Sequence, residues 1–237
     1  MANVKNKKKK AEKGNELLES PEVLAERLGK TEEFLEQNRK IVIAIIGILA
    51  VLTSAIFLYR YYITNQNDQA QVDMFQAVYY FEADSTQRAL MGDGNNFGFL
   101  DIIENYGMTK TANLAHFYAG ASYLKMGEYE SAIEYLKGYS SDDIAIQSRA
   151  YSLIGDAYSE LNDFSQAAEY YERAANHKPN EFLSPMYLIK AAVAYERLDD
   201  FESAMDSYNT IIEKYPDSNE YNNARKHKAR LEILASK

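Results

Sequence analysis

One helical unit recurs three times in the second half of this 237-residue chain. The middle copy starts at Tyr151 and reads YSLIGDAYSELNDFSQAAEYYERAANHKP. Matching residue types return 35 residues earlier, from His116, and 37 residues later, from Leu188. A repeat of this period is typical of stacked helical pairs, because one pair cannot bury its apolar face alone and each pair covers its neighbour.

Residue types in the middle copy indicate how its two helices meet. Gly155 and Ala167 are small and mark the place where the helices approach most closely, and Tyr158 and Tyr171 are predicted to fill the space around it. Pro179 ends the second helix, because proline lacks a backbone donor and clashes with the preceding turn. The spacing resembles the tetratricopeptide pattern, with tyrosine at the first position in place of the usual tryptophan.

The sequence therefore predicts an all-α fold, in which a single N-terminal transmembrane helix is followed by a tetratricopeptide-repeat α-solenoid. The predicted repeats fill residues 111–217 and lie at about 113–144, 148–179 and 185–216. Residues 218–237 are expected to form a capping helix rich in Arg and Lys, because the end of a solenoid needs a polar outer face.

Residues 60–110 are more irregular and are expected to form a helical pair before the first repeat. A helix is expected over residues 67–83, with Val72, Phe75, Val78 and Tyr79 on one side. The Gly- and Asn-rich residues 91–96 indicate a loop.

Residues 41–59 read IVIAIIGILAVLTSAIFLY and carry no charge. A helix of that length rises about 28 Å, close to the thickness of the hydrocarbon layer of a bilayer. A buried core helix and a signal peptide cleaved near Thr53–Ala55 are the alternatives. The apolar run is long for both of them, and about 40 polar residues precede it, so a retained signal anchor is the preferred interpretation.

Cations flank this segment unevenly. Six lysines between Lys5 and Lys13 precede it, Arg39 and Lys40 adjoin it, and after it only Arg60 appears before Arg88. The positive-inside rule places residues 1–40 in the cytoplasm, as a charged tail with short helices, and the rest of the chain outside. The lysines at 7–10 are interpreted as a topology signal or a contact with anionic lipid, and the short helices as a spacer or a partner-binding segment.

Charge and composition exclude several classes of function. Residues 60–237 hold 16 Lys and Arg against 27 Asp and Glu, a net charge of −11, which opposes nucleic-acid binding because phosphate would be repelled. The chain has no cysteine, and its three histidines share no ligand spacing. No Gly-rich phosphate loop, Ser/His/Asp signature or metal motif is present. We therefore expect a protein that is not an enzyme and needs no cofactor or metal.

A binding groove is the remaining expectation, lined by the first helices of the repeats. The residues expected to face it are Leu114, Phe117, Ala121 and Leu124 in the first repeat, Arg149, Ser152, Asp156 and Ser159 in the second, and Met186, Ile189, Val193 and Glu196 in the third. The Lys/Asn/Arg set that clamps a C-terminal carboxylate in some such domains is absent. The groove starts and ends apolar, which suits an extended or helical polypeptide or the protein's own terminal helix.

The layout of residues 30–237 resembles the YfgM-like proteins of the bacterial inner membrane. The resemblance is carried by the signal anchor, the RYY motif at Arg60–Tyr62, and above all by the run ANLAHFYAGASYLKMGEYESAIEYLK at Ala112–Lys137. The first 30 residues are longer and richer in lysine than the usual tail of that family.

The resemblance implies an ancillary subunit of the Sec translocon. Its N-terminus would lie in the cytoplasm, and its repeats in the periplasm would meet secreted polypeptides alongside chaperones. The implied partners are translocon subunits, periplasmic chaperones or secreted chains, with a homo-oligomer also possible. The alternative function is a scaffold in another cell-envelope or secretion complex, which would bind one folded partner through charged rims.

Overall fold

The computed structural model of the chain describes residues 33–235, and regular structure within that range is helical, with no strand. The chain divides into two compact units, residues 1–61 and residues 62–237. The short helices predicted before residue 33 lie outside the described residues.

Helix α1 (Arg39–Glu82) is 44 residues long. By length and composition it is the one helix in the described part of the chain that could cross a membrane, and none of its most apolar stretch is buried. The sequence predicted a span ending at Tyr59 and a separate helix from residue 67. The two form one helix because residues 60–82 contain neither proline nor glycine to interrupt it.

Nine further helices are described after α1. They are α2 (Thr86–Met91), α3 (Phe99–Tyr106), α4 (Lys110–Met126), α5 (Tyr129–Gly138), α6 (Ile144–Glu160), α7 (Phe164–Asn176), α8 (Ser184–Arg197), α9 (Phe201–Lys214) and α10 (Tyr221–Ala235). Helices α4 to α9 form three consecutive pairs, as the repeat pattern predicts.

The turn inside each pair uses a left-handed residue at an equivalent place. These residues are Gly127, Asn162 and Asp199, with φ of 78°, 59° and 56°. Glycine, asparagine and aspartate tolerate this conformation better than other residues. Aspartates then cap the second helices of the last two pairs, since Asp163 accepts from the Gln166 amide at 3.1 Å and Asp200 accepts from the Ser203 amide at 3.1 Å.

Small residues let the two helices of a pair approach closely. A Cβ atom added to Gly120 would lie 2.5 Å from Leu136 Cγ, and one added to Gly155 would lie 2.6 Å from Tyr171 Cε1. Ala167, the small residue predicted at the same crossing, has no exposed surface. The solenoid is therefore held by close contacts in which one extra methyl group would displace a large side chain.

Both ends of the repeat array are covered. Helix α10 buries Ala224 and Leu231 against Tyr208 and Ile211 of α9. At the other end, the second half of α1 buries Ala70, Met74 and Ala77, the last two in a cluster with α2, α3 and α4. The side of α1 that holds Val72, Phe75 and Tyr79 faces outward, with 58–72% of each residue exposed.

Candidate functional site

The twelve residues predicted to line the groove fall into three classes of burial. Phe117, Ala121 and Ser152 are buried, Leu114, Leu124, Asp156, Ser159, Ile189 and Glu196 are half-buried, and Arg149, Met186 and Val193 are exposed. A ligand can reach the last two classes without any rearrangement of the repeats.

Phe117 illustrates why periodicity alone does not identify a groove residue. Its ring lies 5.6 Å from the Tyr139 ring, which follows α5, and it shares a buried cluster with Ala150 and Ile154 of α6. A large aromatic ring at this position fills the space between the first two repeats. Phe117 therefore belongs to the core.

Helix α8 presents the clearest accessible apolar surface among the predicted residues. Met186, Ile189 and Val193 are spaced three and four residues apart, so they share one face of the helix. Met186 is 38% exposed and Val193 is 47% exposed. We call these three residues the α8 stripe.

A cavity of about 180 Å³ opens beside the α8 stripe, between α6, α7 and α8. Its walls are formed by Ser159, Phe164, Tyr171, Ile189, Lys190, Val193, Ala194 and Arg197. Two residues of the α8 stripe therefore line an actual depression in the surface. At this size the cavity accepts a side chain and not a whole ligand, since drug-sized ligands occupy about 300–1,000 Å³.

A polar network lies at the base of this region. Tyr171 donates a hydrogen bond to Asp156 at 2.7 Å, and Lys190 Nζ lies 2.8 Å and 3.0 Å from the two carboxylate oxygens. Lys190 also donates to Ser152 Oγ at 3.1 Å. Burial and the Asp156 charge raise the pKa of Tyr171 far above its usual value, so this side chain remains a neutral donor.

This network neutralises Asp156, while Glu196, the other acid of the predicted groove, pairs with Arg230 of α10. Because Lys190 and Asp156 are each about a third exposed, their ion pair adds little stability and acts mainly to fix the two side chains. Arg197 stacks on Phe164 at 4.3 Å from the ring centroid, and Arg149 is exposed. Two cations, Lys190 and Arg197, therefore line the cavity beside the α8 stripe, although the unit as a whole is acidic.

A second and larger cavity, of about 490 Å³, lies between α1 and α4. It is lined by Asn67, Gln71, Met74, Phe75, Val78, Lys110, Thr111 and Leu114. Leu114 was predicted to share one groove with Ile189 and Val193, but it lines this separate cavity. Sequence reasoning missed the α1 residues, because the Thr111 amide and hydroxyl that bind Asn67 Oδ1 at 3.1 Å are 44 residues away in the chain.

Each of the three histidines packs against a tyrosine ring. His116 lies 5.9 Å from the Tyr135 ring and fills the space beside Gly138, and burial lowers its pKa. His177 and His227 also lie against tyrosine rings. Within residues 33–235, no group of three or more His, Asp or Glu side chains is placed to hold a metal ion.

The three helical pairs match the sequence patterns of one known repeat. The sequence patterns of the tetratricopeptide repeat match residues 114–141, 148–181 and 187–218. The chain contains three tetratricopeptide repeats. Tetratricopeptide domains mediate contacts between proteins and are generally non-catalytic, so a role in protein–protein interaction follows for this chain.

Solved structures similar to the chain include two of MamA. One, described as MamA 41-end from Desulfovibrio magneticus RS-1, is 20% identical, with a TM-score of 0.48 over 61% of this chain and 74% of that one. The other, the MamA RS-1 ArsTM double mutant, is 19% identical, with a TM-score of 0.49 over 65% and 79%. No curated protein matches the chain significantly.

Proposed function

We propose that this protein is anchored in the bacterial inner membrane by α1 and that its tetratricopeptide repeats bind unfolded secreted polypeptides in the periplasm. In this proposal it acts as an ancillary, chaperone-like subunit of the Sec translocon, the role implied by its resemblance to the YfgM-like proteins. The observation that carries the proposal is the α8 stripe beside a side-chain-sized cavity, which Lys190 and Arg197 also line.

The geometry of the α8 stripe favours promiscuous and reversible binding. Full burial of one aliphatic side chain is worth about 1.5–3 kcal/mol, so burying the exposed fraction of Met186 or Val193 contributes about 1 kcal/mol each. Contacts of this size release a polypeptide readily. A protein that hands on a chain during secretion needs such weak binding, whereas a permanent scaffold needs a larger interface.

Arg197 gives the same surface a preference among polypeptides. Its charge attracts acidic side chains, while the acidic remainder of the unit repels nucleic acid and other anionic polymers. Lys190 is already paired with Asp156 and adds little to this attraction.

A binding assay with the full chain in detergent tests the proposal. The probe is a fluorescently labelled secretory precursor, kept unfolded. We expect Val193→Glu and Met186→Glu each to weaken its binding by roughly tenfold, because about 1 kcal/mol of burial is lost and a charge is introduced. Met108→Glu is the matched control, since Met108 is 68% exposed in the turn before α4.

Two results of this assay would contradict the proposal. Equal losses in all three variants would mean that the α8 stripe is not the binding surface. Unchanged precursor binding, together with stoichiometric capture of one folded envelope protein from native membranes, would support the scaffold alternative.

Topology is tested separately, because the proposal requires the repeats to be outside the cytoplasm. The chain has no cysteine, so a single Asn219→Cys site should be labelled by a membrane-impermeant maleimide in intact spheroplasts. Asn6→Cys should be labelled only after the membrane is opened. The reverse pattern would place the repeats in the cytoplasm and remove the periplasmic role.

A further inference from the structure

The outward side of α1 in residues 62–82 is apolar without being covered by the repeats. Val72, Phe75 and Tyr79 are 71%, 72% and 58% exposed. Their spacing of three and four residues puts them on one face of the helix. Exposed aromatic and aliphatic side chains arranged in this way mark an interaction surface more often than isolated apolar residues do.

The opposite side of the same helix is the one that docks on the repeats. Ala70, Met74 and Ala77 are buried there, and Tyr106 donates a hydrogen bond to Asp73. The positions of the helix are labelled a to g in heptads, with Val72 and Tyr79 at position a and Phe75 at position d. In this notation Asp73 lies at b, Met74 at c, and Ala70 and Ala77 at f. The helix thus has a docked face, which Val78 at position g extends, and an exposed face whose Phe75 also borders the cavity between α1 and α4.

Uncharged residues flank the exposed face. Gln69 and Gln76 occupy e positions, and Gln71 occupies a g position. Identical copies often repel each other through like charges at these positions, but glutamines give no such repulsion. This arrangement matters here, because two copies of residues 60–237, each with a net charge of −11, would otherwise have little reason to approach each other.

The heptad register continues when the sequence is counted back from Val72. Seven-residue steps reach Asn65, Leu58, Val51 and Ala44 at position a, while Asp68, Tyr61, Ser54 and Gly47 occupy position d, so Asp68 is the one charged residue in this part of the register. Small residues allow close helix packing in a membrane, and a single asparagine at position a favours a parallel pair in one register. Two anchored copies necessarily have the same orientation, which is the orientation this register needs.

We propose that α1 pairs in parallel with α1 of a second copy of this chain through Val72, Phe75 and Tyr79. The proposal rests on the membrane anchoring in the proposed function, but not on polypeptide binding. Each copy would keep its α8 stripe, so the dimer would present two binding surfaces to one secreted chain.

The size of the apolar face sets a condition on this dimer. Phe75 and Tyr79 together expose on the order of 200–300 Å² per copy, well below the roughly 800 Å² per partner of a stable interface. Asp68 and Glu82, at the next d positions, end the apolar face. The pairing therefore needs the membrane segment as well, and we expect the full chain to dimerise far more strongly than residues 62–237 alone.

Cysteine crosslinking of the full chain in native membranes tests the proposal. After mild oxidation, Val72→Cys should migrate mainly as a covalent dimer, because equivalent a positions of a parallel pair come within disulfide distance. Phe182→Cys is the control, since Phe182 is 88% exposed but lies between α7 and α8, and it should remain mainly monomeric.

A second measurement uses substitutions that change the face itself. Phe75→Glu should weaken dimerisation of the full chain in detergent by on the order of 100-fold, because each copy would bury an unpaired carboxylate. Phe182→Glu should leave it unchanged. Sedimentation equilibrium in detergent measures both.

These two measurements test the pairing of α1 independently of polypeptide binding by the α8 stripe. Equal crosslinking at Val72 and Phe182, crosslinking of Val72→Cys to a different protein, or an unchanged dimer in Phe75→Glu would overturn the pairing. Polypeptide binding through Val193 would be unaffected by any of these results. Conversely, loss of the polypeptide-binding role would leave the crosslinks in place.

Discussion

Gly155 is the position where one methyl group should have the largest effect on both fold and site. An alanine Cβ there would lie 2.6 Å from Tyr171 Cε1 and 2.7 Å from Cδ1, closer than carbon atoms approach in real structures. The Tyr171 ring is only 5% exposed, and its hydroxyl is bonded to Asp156, so it has little room to move. The substitution must displace the ring or separate α6 from α7.

The magnitude of the effect follows from opposing terms. Alanine is favoured over glycine in a helix interior by about 1 kcal/mol. Overpacking costs about 1–3 kcal/mol, and loss of a hydrogen bond to a charged acceptor costs about 1.5–3 kcal/mol. We therefore expect Gly155→Ala to lower the free energy of unfolding by about 2 kcal/mol.

Thermal unfolding of residues 62–237, followed by far-ultraviolet circular dichroism, measures this change. For a unit of this size, about 2 kcal/mol corresponds to a decrease in Tm of roughly 4–8 °C. Gly107→Ala is the control, because Gly107 is exposed and has φ of −50°, where alanine causes no backbone strain, and its added Cβ would meet only the Ile103 carbonyl oxygen, at 3.1 Å. We expect that control to be neutral or slightly stabilising.

A double substitution tests whether contact with the Tyr171 ring causes the loss of stability in Gly155→Ala. With Tyr171→Leu in place, the ring is absent, so Gly155→Ala should become stabilising by about 1 kcal/mol through helix propensity. Destabilisation of equal size in both backgrounds, or a wild-type Tm for Gly155→Ala alone, would refute this account of the helix crossing.

Three other substitutions follow from the same structure. Asp163→Ala should cost about 1 kcal/mol in urea unfolding, because the Gln166 amide loses its cap, whereas Asp163→Asn should be nearly neutral; equal stability of the two variants would contradict the capping role. Lys190→Met should cost less than about 1 kcal/mol in the same assay, since its ion pair is partly exposed, and a larger loss would show a structural role for the network. The hydrogen bond to Asp73 raises the pKa of Tyr106 to about 12, so its stabilising effect is fully present below pH 10 and is lost as the pH rises through about 12. When unfolding is measured at several pH values, Tyr106→Phe should lose less stability between pH 10 and 12 than the unsubstituted protein does. An unchanged dependence of stability on pH would contradict the role of this hydrogen bond.

The repeat register could be predicted from the sequence because the residue types that indicate it depend only on their near neighbours in the chain. Gly155, Ala167 and the turn residues near Asn162 recur at fixed spacing, and each reflects a requirement of one helix or one turn. The structure places Gly155 against Tyr171 at the crossing of α6 and α7, as this spacing predicts. It buries Ala167 in a cluster with Ala191 and Ala194 of α8, against which Tyr158 of α6 also packs.

The exposure of individual groove residues was harder to predict from the sequence. Phe117 and Val193 are both apolar residues on the first helix of a pair, yet Phe117 is buried against Tyr139 and Val193 is 47% exposed. The difference depends on the neighbouring repeat, which helical periodicity within one segment does not describe. The same reason explains why Leu114 lies in a cavity with α1 and away from the α8 stripe.

The sequence by itself therefore determined the helical pairs, their turns, the polar cap and the one long apolar segment, because these depend on backbone preferences and on residue periodicity. Only the tertiary structure decided which side of each helix is covered. On α1 it buried Ala70, Met74 and Ala77 and left Val72, Phe75 and Tyr79 outside, although the second set is the more apolar in bulk. The physical reason is close packing, since the small alanines allow α1 to lie near the repeats, whereas the large side chains would hold it away.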